Sequence, residues 1–347
     1  SGEIGQNTVV PAPGSWSIPG TKHQFRDSVR SGHGSANLMK AIQVSSDTFF
    51  YRLGFELGIE KAHPYLSQFG LGQQTGIDLP HEYRGVLPSP EWKEKRFAKL
   101  PPARRKWNVA EMVPISIGQG YNAYTPLQMA HATATLANNG TVYRPHLVKE
   151  LLDHNKQQIT LIDPKPVRTL PFKQAHFNYI KAAMAKVLQP GGTARKVGAG
   201  LKYSMGGKTG TAQVVQIAQG KSYNAAALAV QHRDHAWFIA FAPLDKPKIA
   251  IAVILENGGW GANAAPLARA LSDYYLLTLK AGADRDIPVD NSSRTLADNP
   301  LLTGSGAAKR PSEHPVTRAF QTASPPEQSA SAPLSDGLPA SAPETAP

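Results

Sequence analysis

Residues Met205–Val215 read Met-Gly-Gly-Lys-Thr-Gly-Thr-Ala-Gln-Val-Val, and this stretch predicts the first strand of a central sheet. Two further extended runs, His235–Leu244 and Lys248–Glu256, are rich in Val, Ile, Ala and Phe. The link Pro243–Pro247 between them is short enough for a hairpin. Apolar residues in Ala262–Lys280 recur at helical spacing and predict a long amphipathic helix that covers one face of the sheet. These residues are Leu267, Leu271, Tyr274, Tyr275 and Leu279.

Helices are predicted upstream of the sheet. The apolar residues of Ala36–Leu57 lie near helical spacing but are interrupted by Ser45-Ser46-Asp47, so two helices broken at a polar turn are predicted. Thr125-Pro126 is typical of the N-cap and first residue of a helix, which should stop at Asn138-Asn139-Gly140. A third helix is predicted over about Gln174–Leu188. The pattern is therefore mixed helix and strand.

Composition excludes several classes of protein. The chain has 347 residues and no cysteine, which excludes a disulfide scaffold and a cysteine-ligated metal site. Residues 284–347 are dominated by Pro, Ala and Ser, so we expect a disordered tail after a folded domain over residues 1–283. The whole chain has a net charge of +12, and the domain alone has +15 because the tail is acidic. Such a domain attracts polyanions, but net charge does not choose among nucleic acid, lipid headgroups and cell-wall polymers.

The first strand carries the residues best suited to chemistry. Lys208 offers an ammonium, Thr209 and Thr211 offer hydroxyls, and Gly210 lets a ligand approach the backbone. Together they are suited to hold a carboxylate. Because side chains alternate along a strand, both threonines lie on one side and Lys208 on the other. Lys208 must therefore reach the site from a neighbouring face or through local twist.

A second motif, Ser45-Ser46-Asp47, lies about 160 residues upstream of the Lys-Thr-Gly strand. This pairing is typical of penicillin-recognising serine enzymes. Over about residues 13–280 the chain resembles the elongation-specific class B D,D-transpeptidases of Gram-negative bacteria. The stretches that carry the resemblance are Gly32–Gly34, Ser46–Tyr51, Thr75–Leu79, Ile117–Tyr121, Thr125–Met129, Lys208–Val214, Phe241–Pro243 and Ile254–Gly259.

The resemblance implies an α+β fold, the penicillin-binding and serine β-lactamase-like transpeptidase fold, with an antiparallel sheet and helices on both faces. It implies that Ser45 relays a proton to the departing amine, that Asp47 orients substrate or the lysines of the site, and that Lys208 supplies positive charge.

Substrate binding is implied by resemblance for Thr209, Gly210 and Thr211. The threonine hydroxyls would bind the terminal carboxylate of D-Ala-D-Ala or of a β-lactam, and the Thr211 amide would donate to the oxyanion. The implied reaction is the cross-linking of peptidoglycan stem peptides through a serine acyl-enzyme during cell elongation.

The nucleophile of that family belongs to a Ser-x-x-Lys motif, and no serine in this chain has lysine three residues later. Thr193-Ala194-Arg195-Lys196 imitates the motif but begins with threonine and lies too far downstream. We therefore expect a transpeptidase domain that is incomplete at its N-terminus and, in the chain as given, inactive. A catalytically inactive penicillin-fold scaffold or wall-binding module is the alternative.

No cofactor or metal is expected. Some relatives hold zinc through two Asp, one His and one Cys, and Asp27 and His33 match two of these ligands. Ala12 and Ser46 occupy the other two positions. Two ligands do not make a structural zinc site, which needs about four. His33 is predicted to be a hydrogen-bonded structural residue.

Two other interpretations are weaker. The basic stretch Lys93–Lys106 could contact nucleic acid, but Pro101-Pro102 argues against a continuous basic helix, and we expect a solvated loop and no nucleic-acid partner. Arg233-Asp234-His235 could suggest a triad, but adjacent strand residues point to opposite faces.

Partners and location follow from the resemblance. It implies the elongation-complex glycosyltransferase and its periplasmic activator as partners. It also implies a location at the periplasmic face of the Gram-negative inner membrane, with the anchor outside this chain.

Overall fold

The computed structural model describes residues 4–153, 158–215 and 227–279; the predicted tail over residues 284–347 lies outside them. Strands and helices are numbered in chain order. The strands are β1 (Val10–Ala12), β2 (Ser15–Trp16), β3 (Phe25–Arg26), β4 (Gly34–Ala36), β5 (Thr141–Tyr143), β6 (Glu150–Asp153), β7 (Gln158–Leu161), β8 (Pro166–Thr169), β9 (Gly206–Ala212), β10 (His235–Ala242) and β11 (Ile249–Leu255).

The α-helices are α1 (Leu38–Val44), α2 (Asp47–Gln68), α3 (Pro90–Arg96), α4 (Pro102–Arg105), α5 (Met112–Ile115), α6 (Pro126–Ala137), α7 (Gln174–Lys186), α8 (Arg195–Gly198) and α9 (Ala265–Asp273). Short 3-10 turns cover Val109–Glu111, Val230–His232 and Gly261–Asn263, and a π-helical segment, Tyr274–Leu279, continues α9.

The central sheet is antiparallel and three-stranded in the described residues, with the order β11-β10-β9. β10 lies in the middle, where Phe238 pairs with Thr209 of β9 and with Val253 of β11. The three predicted strands and the hairpin between β10 and β11 are confirmed. Four two-stranded sheets, β1-β4, β2-β3, β5-β8 and β6-β7, lie outside this sheet.

Helices pack on both faces of the central sheet, as the resemblance implied. Phe238 and Phe241 are three residues apart on β10, so their side chains point to opposite faces, and both are fully buried. Phe238 belongs to the core cluster that contains Ala265 and Ala268 of α9. Phe241 packs instead in a cluster with residues of α6 and α7. The sheet is therefore covered by α9 on one face and by α6 on the other, and α7 contributes residues to both clusters.

The predicted contact face of the C-terminal helix is wrong. Its apolar residues Leu267, Leu271, Tyr274, Tyr275 and Leu279 are all exposed, whereas the buried positions are Ala265, Ala268 and Ser272. Small side chains let the helix lie close to the alanine-rich face of β10, which leaves the larger apolar side chains outside. The helix is also shorter than predicted, because α-helical geometry ends at Asp273.

The upstream helices agree with their local signals. α1 and α2 are separated at Ser45 and Ser46, as predicted, although α2 runs on to Gln68 with a break in helical geometry at Gly58. Thr125 caps α6 in a capping box with Gln128, and α7 begins at Gln174. α1, α2 and α6 each begin with a capping side chain, whereas α7 begins after Lys173 without one.

The basic stretch is not the loop that the sequence predicts. It forms α3 and α4, with the break between them at Pro101. Lys93 is buried, and its Nζ donates to the Lys106 carbonyl at 2.7 Å and to Glu111 Oε1 at 2.5 Å. The charge of Lys93, one of those that suggested a binding surface for polyanions, is therefore neutralised inside the protein.

Candidate active site

The two sequence motifs meet in the structure. Lys208 Nζ on β9 donates to Ser45 Oγ at 2.7 Å and to the Thr209 carbonyl at 2.8 Å. Ser45 ends α1 in the left-handed conformation, with φ 57°, which non-glycine residues adopt uncommonly. This conformation breaks the helix and places the Ser45 hydroxyl beside the Lys208 ammonium. Lys208 therefore reaches the other motif in the structure.

Burial perturbs both ionisable groups at this point. Desolvation lowers the pKa of Lys208 to about 8, against the attraction of the Asp47 carboxylate. Desolvation also raises the pKa of Asp47 to about 7, helped by the charge of Asp27 and opposed by Lys208 and a backbone hydrogen bond from Ser28. Lys208 thus releases its proton more easily than an exposed lysine does, and Asp47 keeps its proton more readily than an exposed aspartate does. The site holds a cation beside a hydroxyl that can pass on its own proton.

The two threonines of β9 lie on one face of the strand, as alternation predicts, and each is fixed by a different segment. The Thr209 hydroxyl lies 2.8 Å from the Thr193 hydroxyl. Thr211 Oγ1 accepts a hydrogen bond from the Gly261 amide at 3.0 Å, so its own proton remains available to a ligand. The Thr211 carbonyl accepts from Gln119 Nε2 at 3.0 Å.

The backbone of Gly210 is contacted by another segment of the same chain, the turn that carries Gly261. A Cβ atom added to Gly261 would lie 2.2 Å from the Gly210 carbonyl oxygen, so the 3-10 turn before α9 packs directly on the β9 backbone. Because only glycine fits there, the turn can bring its amide to Thr211. The end of β9 is therefore held in a rigid setting from which its hydroxyls project.

The residues that match a zinc site form a hydrogen-bond network. Asp27 is buried and accepts from His33 at 3.1 Å, from Ser46 Oγ at 3.2 Å and from the Thr48 amide at 3.3 Å. Ala12 contributes only its carbonyl, which accepts from the His33 amide at 2.7 Å. The predicted hydrogen bond of His33 is thus confirmed. In the described ranges, three or more His, Cys, Asp or Glu residues nowhere cluster as a metal site would require.

The side chains of the rejected triad accept hydrogen bonds from different segments. Asp234 accepts from the Val214 amide at 3.3 Å, whereas His235 Nδ1 accepts from the Asn257 amide at 2.8 Å. The amides that donate to the two side chains thus belong to different loops.

Sequence reasoning missed three residues that contact the threonines: Gln119, Thr193 and Gly261. Gln119 lies in one of the stretches that carry the resemblance, so a role could have been suspected. Thr193 was considered only as a poor imitation of the nucleophile motif, and Gly261 carries no local signal.

The fold and the Ser45–Lys208 contact together define the class of penicillin-recognising serine enzymes. A family model described as the penicillin-binding protein transpeptidase domain matches residues 1–273. The chain belongs to this family and has its fold.

The chain is similar to peptidoglycan D,D-transpeptidases. The chain is 45% identical over 280 residues to the peptidoglycan D,D-transpeptidase MrdA of Acinetobacter baumannii, covering 79% of this chain and 39% of the relative. It therefore spans about two fifths of that relative's length.

Solved structures agree. Pseudomonas aeruginosa PBP2, in complex with WCK 5153, has a TM-score of 0.66 at 37% identity, over 79% of this chain and 57% of that one. Helicobacter pylori PBP2, in complex with MreC, has a TM-score of 0.64 at 34% identity, over 80% and 46% of the two chains.

The helices of the described residues were also compared with the dimensions of a bilayer. None combines the length and the apolar character needed to cross a membrane.

Proposed function

We propose that this chain supplies part of the active site of a peptidoglycan D,D-transpeptidase that cross-links stem peptides during cell elongation. The observation that carries the proposal is the 2.7 Å hydrogen bond from Lys208 Nζ to Ser45 Oγ, which joins the two motifs of the family. Relatives of the MrdA type support the reaction class. The substrate is the D-Ala-D-Ala end of a stem peptide, and β-lactams are the matching inhibitors.

Each residue has a role in this proposal. The Lys208 ammonium holds the Ser45 hydroxyl as an acceptor, which leaves the Ser45 proton free to pass to the departing amine. Asp47, on the first turn of α2, balances the charge of Lys208. Thr209 and Thr211 donate their hydroxyl protons to the substrate carboxylate, and Gly210 lets the turn that carries Gly261 pack on the strand between them. The Thr211 amide is one donor to the oxyanion.

The acylating serine has no candidate among the 347 residues, because none is followed by lysine at the third position. Covalent acylation is therefore not proposed for these residues alone. The proposal concerns the carboxylate site and the proton path, which a nucleophile would use.

A chimera tests the proposal. Residues 1–279 replace the matching segment of the Acinetobacter baumannii transpeptidase, which keeps the rest of that enzyme, and a fluorescent penicillin reports acylation. We expect the chimera to be labelled and Ser45→Ala or Lys208→Met to slow labelling by about 100-fold or more. Lys202→Met is the matched control, because this lysine is exposed and lies six residues before Lys208. An unlabelled chimera that is folded, or equal labelling of Lys208→Met, would contradict the proposal.

A catalytically inactive penicillin-fold scaffold or wall-binding module is the second candidate. The absence of Ser-x-x-Lys favours it. Under this alternative, the folded chain binds a D-Ala-D-Ala peptide or isolated peptidoglycan, yet the chimera stays unlabelled. Labelling of the chimera would exclude it, because a module that has lost its catalytic function does not support acylation.

Partners and location are proposed from the relatives. The structure of Helicobacter pylori PBP2 with MreC supports a periplasmic activator as a partner of this protein. We also propose the elongation-complex glycosyltransferase as a partner, a location at the periplasmic face of the inner membrane, and no binding of nucleic acid. Co-purification of the full-length protein with each partner from membranes tests the assembly, and loss of both partners on purification in mild detergent would count against it.

A further inference from the structure

Thr193 lies in a turn whose backbone is tightly fixed. The turn follows α7 and contains Gly192, whose amide donates to the Gln189 carbonyl at 2.8 Å. A Cβ atom at Gly192 would lie 2.2 Å from the Val187 carbonyl oxygen, so the chain passes close to the end of α7. Ala194 is buried and donates its amide to the same carbonyl at 2.9 Å. Thr193 is therefore held between two anchored neighbours.

This fixed residue bridges the two motifs of the candidate active site. Its amide donates to the Gln43 carbonyl at 3.3 Å, and Gln43 lies two residues before Ser45. Its hydroxyl lies 2.8 Å from the hydroxyl of Thr209. Gln43 Nε2 also donates to the Pro190 carbonyl at 3.0 Å, which ties the turn to α1 a second time. Thr193 thus holds β9 at a set distance from the end of α1.

The hydroxyl pair can share its hydrogen bond in two directions. Each hydroxyl has one proton to donate, and a carboxylate can only accept. If Thr209 donates to Thr193, its proton is unavailable to a ligand. If Thr193 donates to Thr209, the Thr209 proton is free to point at a carboxylate, and Thr209 becomes a better donor because it is itself accepting a hydrogen bond.

We propose that Thr193 is a positioning residue that donates to Thr209 and so makes the Thr209 hydroxyl a donor to the ligand's carboxylate. The inference rests on the proposed function, since it specifies how the D-Ala-D-Ala carboxylate is recognised. It has a consequence for selectivity: loss of the Thr193 hydroxyl weakens binding of a carboxylate and leaves a carboxamide unaffected, because the amide NH2 can donate to Thr209 without help.

Binding of two peptides to the full chain tests the inference. The probes are N-acetylated Lys-D-Ala-D-Ala with a free carboxylate and the same peptide with a C-terminal carboxamide, each titrated by calorimetry. Thr193→Val should raise the Kd of the carboxylate peptide about fivefold to tenfold, as expected for the loss of one hydrogen bond between neutral groups. The Kd of the carboxamide peptide should stay within about twofold. Thr193→Ser, which keeps the hydroxyl, should restore carboxylate binding.

A double variant separates positioning from general damage. If Thr193 acts through Thr209, then adding Thr193→Val to Thr209→Val should cause little further loss of carboxylate affinity. Thr193→Ala replaces the valine variant if the latter does not fold. The inference would be overturned if Thr193→Val weakened the binding of both peptides equally. It would also be overturned if the effects of the two substitutions on carboxylate affinity were fully additive. If the unaltered folded chain binds neither peptide, the proposed function itself fails, and that result is distinct from a failure confined to Thr193.

Discussion

Replacing Asp47 with asparagine should change how stability depends on pH. Burial, together with the charge of Asp27, raises the folded-state pKa of Asp47 to about 7 from its ordinary value of 3.8. The folded protein therefore holds this proton at pH values at which the unfolded chain has released it. The stabilisation is present at low pH and is lost as the pH rises from about 4 to about 7. Asparagine has the same shape and cannot ionise, so the variant lacks this loss.

The magnitude follows from the two pKa values. One unit corresponds to about 1.4 kcal/mol, so the whole loss is about 4 kcal/mol when the pH passes through both values. Between pH 5 and pH 7 the expected part of it is about 2 kcal/mol. Lys208 stays largely protonated over this range, since its pKa is about 8. The free energy of unfolding of Asp47→Asn, relative to that of the unaltered chain, should thus rise by about 2 kcal/mol between pH 5 and pH 7.

Urea denaturation followed by tryptophan fluorescence at pH 5, 6 and 7, at constant ionic strength, measures the difference. Asp163→Asn is the control, because this aspartate is exposed. The reasoning is refuted if the free energy difference between Asp47→Asn and the unaltered chain is the same at all three pH values. It is also refuted if Asp163→Asn changes the pH dependence as much as Asp47→Asn does.

Three further outcomes are expected. Binding of the carboxylate peptide should weaken as the pH rises through about 8, where Lys208 loses its charge, and calorimetry should find no such step in Lys208→Met. Phe238→Ala should lower the free energy of unfolding by about 3–5 kcal/mol in urea titrations, because the ring is fully buried; a loss below about 1 kcal/mol would contradict the packing described. Gly261→Ala should lower the free energy of unfolding by about 1–3 kcal/mol and weaken binding of the carboxylate peptide, because the new methyl group meets the Gly210 carbonyl. Gly5→Ala should change neither quantity, because a methyl group has room there.

Local signals explain what could be predicted about the fold. The Thr125 capping box locates the start of α6, and the polar break at Ser45 separates α1 from α2. Extended runs rich in β-branched and aromatic residues locate β10 and β11. Each of these signals acts between residues a few positions apart, so they can be found in the sequence without knowledge of the partners across the fold.

The face of α9 shows where such reasoning fails. The sequence favours Leu267 and Leu271 as buried because they are apolar and helically spaced, yet both are about half exposed. The helix approaches the sheet through Ala265 and Ala268, which belong to the same core cluster as Phe238. Which stripe of a helix is buried depends on the shape of the surface that it meets, and spacing along the helix contains no information about that surface.

The sequence by itself determined the motifs, the family resemblance and the order of the three central strands and of helices α1, α2, α6, α7 and α9, because these depend on residue type and short spacing. The tertiary structure alone decided that Lys208 reaches Ser45 across 163 residues, that Gly261 supports Thr211, and that Thr193 contacts Thr209. These contacts depend on the left-handed conformation of Ser45 and on close backbone packing. Such features arise only when the whole domain packs, since no short stretch of sequence contains both partners.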